Sequence, residues 1–219
     1  MEKRSFPYRH IIWDWNGTLL DDKWLCIESI NTLLYARSLT SINEDKYDRI
    51  FRFPVKEYYR DAGFDFLQEP FEIPAMEFIR IYDRRKKECL LHKGATDILE
   101  SFSQMGISQY LLSASETGML NEMTNHFGIT GYFKEVKGLD NHYAHGKSDL
   151  GKELMSSINA SADSVVMIGD TCHDKEVADS LGVAAILCTH GHFPENRLIG
   201  CGSVLINSLN DLNYMISGV

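Results

Sequence analysis

Short apolar runs in this chain repeatedly end on a polar tip. Ile11-Ile12-Trp13 closes on Asp14 and runs into Asn16-Gly17-Thr18. Tyr110-Leu111-Leu112 closes on Ser113-Ala114-Ser115, and Val165-Val166-Met167-Ile168 closes on Gly169-Asp170-Thr171. A short apolar run bounded by a turn signal reads as a buried strand. Each polar tip then sits at a strand's carboxyl end, where open α/β sheets bind their ligands. Taken alone, Asp14 could simply cap a loop. The repetition of the pattern argues against that.

The remaining pattern supplies the connecting elements. Strand one spans roughly His10 to Trp15. After Asp22 the apolar spacing turns helical, with Ile27, Ile30, Leu33 and Leu34 on one face. Ser41-x-x-Glu44 has the form of a capping box and predicts a second helix start. Phe53-Pro54 breaks that helix. Val55 to Ala62 forms another, stopped by Gly63, and Pro74 suits the first turn of the next. Residues 21–91 are thus helical with no clear strand. From Gly94 an alternating rhythm resumes. It predicts strands at Ile107–Leu112, Tyr132–Val136, Ser164–Ile168, Val183–Leu187 and Ser203–Ile206. Helices are predicted at Ala95–Met105, Glu116–Phe127, Lys147–Ile158, Asp174–Leu181 and Leu209–Ile216. Strands separated by helices predict a doubly wound parallel α/β sheet with right-handed crossovers. The expected organisation is a core of residues 1–20 and 92–219 with a helical insertion at 21–91.

Composition narrows the partners. The formal net charge of −9 over 219 residues argues against nucleic acid and anionic membrane surfaces. No run approaches the ~18 apolar residues of a membrane-spanning helix, and no apolar signal core follows the basic N-terminus. The five cysteines, Cys26, Cys89, Cys172, Cys188 and Cys201, form no C-x-x-C pair. Reduced thiols in a cytoplasmic protein are the expectation, with Cys172 as filler. Thr189-His190-Gly191-His192 offers too few ligands for a zinc site and is expected as a loop near the site.

In this order and spacing, Asp14-Trp15-Asn16-Gly17-Thr18, Ser113-Ala114, Lys147 and Asp170-x-x-x-Asp174 resemble the haloacid dehalogenase-like hydrolase superfamily. The resemblance covers nearly the whole chain and is nearest to phosphoglycolate phosphatase-like members with a helical cap. It implies a Rossmann-like core, with residues 21–91 as the cap domain. It also implies Mg²⁺ and a small phosphorylated substrate, and a monomer as the default. Asp14 would attack phosphorus and bind the metal. Asp170 would be the second metal carboxylate, and the backbone carbonyl of Asn16 a further ligand. Asp174 would orient a metal-bound water, a role compatible with an acid favoured at a helix N-terminus. Ser113 and the amide of Ala114 would hold phosphoryl oxygens. Lys147 would balance the charge, and Thr18 would fix the turn. Arg52 and Lys56, in the cap, would meet the substrate.

Asn16 departs from the family pattern. Most phosphatases of the superfamily carry a second Asp two residues after the nucleophile, as general acid and base. An amide can be neither. Another group, such as a cap side chain or His173, could replace it. Alternatively the leaving group needs no proton, or the chain binds a phosphorylated ligand with little turnover. Phosphonoacetaldehyde hydrolases, which also lack that Asp, carry Asp-Trp-Ala-Gly-Thr here and use a cap lysine as a Schiff base. Lys56 is the matching candidate in this chain, and a C–P hydrolase is the alternative reading.

Overall fold

The structure, a computed structural model, describes residues 6–139 and 146–217. Two compact units emerge: Met1–Asp21 with Leu91–Val219, and Asp22–Leu90. The elements in chain order are β1 (His10–Trp13), β2 (Leu20–Asp21), α1 (Lys23–Ala36), α2 (Glu44–Ile50), α3 (Val55–Ala62), α4 (Glu72–Arg85) and β3 (Leu90–Leu91). They continue with α5 (Ala95–Gln104), β4 (Ser108–Glu116), α6 (Thr117–His126), β5 (Phe133–Leu139) and α7 (Lys147–Ile158). The last are β6 (Val165–Gly169), α8 (Cys172–Leu181), β7 (Ala184–Cys188), α9 (Glu195–Leu198), β8 (Val204–Ile206) and α10 (Asp211–Ser217). Among the described residues no helix is long and apolar enough to cross a membrane.

The first unit is a six-stranded parallel sheet in the order β5-β4-β1-β6-β7-β8. β1 lies between β4 and β6, with Ile12 level with both Tyr110 and Met167. The chain winds outward from β1 in both directions, so the carboxyl ends of β1, β4 and β6 meet at the switch point of the sheet. One face is closed by α7 and α8, whose Leu150, Leu154, Ile158, Val177 and Ala178 cluster with Ile12, Leu112 and Met167. Strand alternation turns Trp13 away from Ile12, and its ring lies 6.1 Å from that of Phe102 on α5. The buried indole is satisfied: Trp13 Nε1 donates to Gln109 Oε1 at 3.0 Å, and Gln109 Nε2 donates to the Leu99 carbonyl at 2.8 Å. This relay ties β1, β4 and α5 together and holds the strand that ends at Asp14.

The second unit packs α1 to α4 around Ile30, Leu33, Leu34, Ile42, Tyr47, Tyr58, Tyr59, Ala62 and Phe64. Its aromatic content is high because short helices need large side chains to close a small core. The helix entered after Ser41 starts differently from the capping-box expectation. Asn43 is the N-cap, and its side chain accepts from the Lys46 N–H at 2.9 Å. An Asn next to the first helical residue takes the cap that a more distant Ser would otherwise fill.

Two further expectations are corrected. β4 runs on to Glu116, well past Leu112, with a shift of register against β5 between Leu112 and Glu116. The thiols are not all reduced: Cys172 and Cys201 are joined by a disulfide, with Cα atoms 5.7 Å apart. Cys26, Cys89 and Cys188 are not part of a disulfide among the described residues. The bridged pair is separated by 29 positions and is brought together by the return of the chain after β7, which no local spacing signals.

Candidate active site

β1 ends at Trp13, and the Asp14 N–H still reaches across to the Ile168 carbonyl at 2.8 Å. The Asp14 carboxylate is therefore fixed by the sheet itself. The turn that follows needs Gly17, at φ +75, a conformation that L side chains rarely adopt. A Cβ at Gly17 would also lie closer than 3.0 Å to the Asp170 carboxylate and the His192 ring. Gly191 is a second such approach to Asp170, again closer than 3.0 Å for an added Cβ. Asp170 thus sits in a slot walled by two glycines.

Thr18 is buried and bridges the two acids. Its hydroxyl lies 3.0 Å from Asp170 Oδ1 and 3.3 Å from Asp14 Oδ2. The second Asp170 oxygen accepts from the His192 N–H at 2.6 Å. Lys147, at the first position of α7, donates to Asp14 Oδ1 and, at 2.6 Å, to Asp174 Oδ1. Asp174 Oδ2 takes the Thr171 N–H (2.9 Å), the Thr171 hydroxyl (2.7 Å) and the Asp170 N–H (3.2 Å). Together with the Thr171 side chain it forms the capping box of α8. Both oxygens of Asp174 are thus engaged by the chain itself, and it serves Lys147 and the helix.

Charge in this cluster does not balance. Asp14, Asp170 and Asp174 are buried, and one oxygen from each lies within 4.8 Å of the others. The ammonium bonded among them is that of Lys147. Burial opposes the charged form of Lys147, but Asp14 and Asp174 outweigh it and hold its pKa above the ordinary value. Burial also works to raise Asp174, but Lys147 and the Thr171 donors hold it below the usual carboxylate range. For the other two acids burial outweighs the compensation. Burial, with the Asp174 charge, pushes Asp14 up to about 6 against the pull of Lys147. Burial, with the charges of Asp14 and Asp174, pushes Asp170 up to about 8 against His192. Carboxylates in this state are short of positive charge, and hard oxygen donors suit Mg²⁺. The donor set fits a divalent cation.

The β4 end supplies the uncharged part of the site. Ser113 is buried, Ala114 exposed and Ser115 half-buried. The Ser115 N–H donates to Ser113 Oγ at 3.0 Å, and the Ser115 hydroxyl donates to Asn16 Oδ1 at 2.8 Å. Asn16 is therefore tied to β4 through a residue that sequence reasoning passed over. His192 and Gly191 were likewise placed only near the site, whereas one bonds Asp170 through its backbone and the other makes room for it. His190 Nε2 lies 3.3 Å from the Thr18 carbonyl. His173 is engaged one turn along α8 with Glu176, at 3.1 Å.

Arg52 and Lys56 belong to the second unit and are exposed. Arg52 pairs with Asp61 at 2.5 Å, and Lys56 Nζ lies 5.6 and 5.9 Å from the ring centres of Phe66 and Phe71. The first unit thus brings together Asp14, Thr18, Lys147, Asp170 and Asp174, with Asn16 and Ser113 joined through Ser115.

A strand-end acid paired with a second acid, a buried lysine and a hydroxyl-lined turn thus meet at the carboxyl ends of β1, β4 and β6 of the α/β sheet. Residues 11–188 match the model of the haloacid dehalogenase-like hydrolases, and the chain belongs to that family. It is 27% identical over 209 residues to a 5'-nucleotidase of Pseudomonas aeruginosa, with 90% of each chain covered. A predicted phosphatase of Clostridium acetobutylicum superposes with a TM-score of 0.83 at 21% identity, over 97% of this chain and 99% of that one. A predicted phosphoglycolate phosphatase of Haemophilus somnus gives 0.76 at 19%, over 95% and 98%. At these identities the two structures speak for the fold.

Proposed function

We propose that this chain is a Mg²⁺-dependent phosphatase that hydrolyses a small phosphorylated metabolite through an aspartyl-phosphate on Asp14. The supporting observation is the buried acid pair, Asp14 and Asp170, held above the usual carboxylate range beside a lysine fixed on Asp14. Asp14, Asp170 and the backbone carbonyl of Asn16 would hold Mg²⁺. When bound, the ion supplies the positive charge that the acid pair lacks and that phosphoryl oxygens require. One carboxylate oxygen of Asp14 attacks phosphorus, and the bond to the leaving oxygen breaks. Lys147 keeps Asp14 ionised and oriented, and Ser113 with the Ala114 amide receives phosphoryl oxygens. Water then attacks the aspartyl-phosphate, which frees Asp14 and inorganic phosphate. Asn16 faces the leaving oxygen as a hydrogen-bond donor. The helical unit of residues 22–90 is assigned the role of cap.

The Schiff-base reading requires a lysine desolvated or crowded by cations, and Lys56 is exposed over aromatic rings. The test is phosphate release from sugar phosphates, phosphoglycolate and nucleoside 5'-monophosphates, with and without Mg²⁺. The last class is included because the Pseudomonas relative is named a 5'-nucleotidase. Wild type, Asp14→Ala and Asn16→Asp are compared. Mg²⁺-dependent release that is lost in Asp14→Ala is expected. General acid–base help is typically worth ~10²–10⁴-fold, so Asn16→Asp is expected to be faster on alkyl phosphates. Release that survives Asp14→Ala would overturn the nucleophile. Borohydride-dependent labelling of Lys56 by phosphonoacetaldehyde would favour the C–P hydrolase instead.

A further inference from the structure

Cys172 is the first residue of α8 and stands two places after Asp170. Cys201 ends the short turn Ile199–Cys201 that follows α9. Between them the chain passes the acid cluster again. The His192 N–H donates to Asp170 Oδ2 at 2.6 Å, the Arg197 guanidinium lies 3.5 Å over the centre of the Phe193 ring, and Leu198 is buried. Residues 192–201 are therefore tied to the loop 170–172 at both ends, by a hydrogen bond at one and by the disulfide at the other.

The bridge is placed to be opened. Neither Cys172 nor Cys201 is buried, whereas Cys89 and Cys188 are. Glu195, Asn196, Ile199 and Gly200 are exposed, so the outer side of the segment is open to solvent. Solvent-exposed bridges are the labile, regulatory kind. Both sulfurs also lie 3.6 Å from the Arg197 carbonyl oxygen. That oxygen can accept from an S–H, so a reduced pair has an acceptor already in reach.

We propose that Cys172 and Cys201 form a thiol–disulfide exchange site for a low-molecular-weight thiol, and that its oxidised form clamps the His192 N–H onto Asp170. In the exchange an external thiolate bonds to one sulfur of the bridge. The Cys172–Cys201 bond breaks, and the other sulfur leaves with the electron pair and takes a proton. A second external thiolate bonds to the sulfur of the first, which releases the remaining cysteine. The chain gains two electrons and two protons, and two external thiols are oxidised to their disulfide. Oxidation runs the same steps backwards. Reduction removes one of the two ties on residues 192–201. Leu198 stays buried, so the segment loosens without detaching, and Asp170 Oδ2 loses its donor for part of the time.

The experiment uses the full chain, free of metal and substrate, equilibrated near neutral pH in mixtures of reduced and oxidised glutathione. Alkylation with peptide mass spectrometry reads the cysteines, and amide hydrogen exchange reads His192. Cys172 and Cys201 should convert together and reversibly in the folded protein. The His192 amide should exchange roughly tenfold faster in the reduced protein, below the roughly hundredfold that outright release of a loop of this length would give. The Asp14 amide, bonded to the Ile168 carbonyl within the sheet, should not change. Cys201→Ser should match the reduced wild type in every mixture. A pair that stays reduced in excess oxidised glutathione overturns the exchange site, as does a bridge that opens only when the protein is unfolded in urea. Equal His192 exchange in the two states overturns the clamp. Equal acceleration of His192 and Asp14 also overturns it, because it reports a loosening of the whole unit. No substrate takes part, so these outcomes stand apart from the phosphatase reading.

Discussion

Lys147→Met is the most informative single perturbation of the buried charge cluster. Methionine keeps length and shape and removes the ammonium between Asp14 and Asp174. The size of the effect follows from Asp14, which burial raises to about 6 although Lys147 pulls it down. At pH 8 the group is two units above that value. Its ionisation in the folded protein then contributes roughly 3 kcal/mol, at about 1.4 kcal/mol per unit. Without Lys147, an ionised Asp14 would face only like charges, so Asp14 stays protonated and that contribution is lost. At pH 5 Asp14 is protonated in both proteins and the contribution is absent from both. Asp170 is eased when Asp14 stays neutral, which trims the difference. The destabilisation by Lys147→Met is therefore expected to be about 2 kcal/mol larger at pH 8 than at pH 5. Urea denaturation in EDTA, followed by tryptophan fluorescence, measures it at each pH; Trp13 and Trp15 are buried on either side of Asp14. A destabilisation independent of pH within about 0.5 kcal/mol, or larger at pH 5, would refute the electrostatic account.

Three further outcomes are expected. Burial holds Asp14 and Asp170 both above the ordinary carboxylate value, so the folded protein holds more protons than the unfolded chain from about pH 4 to 8, and metal-free stability should fall as pH rises through that window. Mg²⁺ binding should release protons and raise the melting temperature more at pH 8 than at pH 6, read by thermal scans and by calorimetry in buffers of different ionisation enthalpy; equal shifts at both pH values would count against metal binding by this pair. Asn43→Ala should cost about 1 kcal/mol through the lost cap, whereas Ser41→Ala should stay within about 0.5 kcal/mol, and the reverse order in urea denaturation would restore Ser41 as the cap.

The parts of the site that the sequence announced are those whose chemistry coincides with a boundary in the apolar pattern. Asp14 ends β1 and Asp170 follows β6, so each was marked by its own neighbours, whereas Lys147, which opens α7, entered through the family resemblance. The parallel sheet and the helical stretch between β1 and α5 were legible for the same reason. Ser115 was not, because the apolar run ends at Leu112 while the strand continues through a register shift fixed by β5. Gly191 gave no signal as a close approach, since what it approaches is a carboxylate from another strand. The backbone donor of His192 is invisible to any reading of side chains. The Cys172–Cys201 bridge, like the Trp13–Gln109–Leu99 relay, joins positions related only by the fold.

The Leu19 carbonyl accepts the His92 N–H at 2.9 Å. The chain thus leaves the sheet-bearing unit and rejoins it one hydrogen bond apart. Seen from the core, residues 22–90 are a detour whose two ends are already closed. The entropy of closing such a loop grows only with the logarithm of its length, about 0.6 kcal/mol per doubling. The core is therefore nearly indifferent to how long the detour is or what it folds into. A lineage can exchange or resize this segment without disturbing the register of β1, β4 and β6.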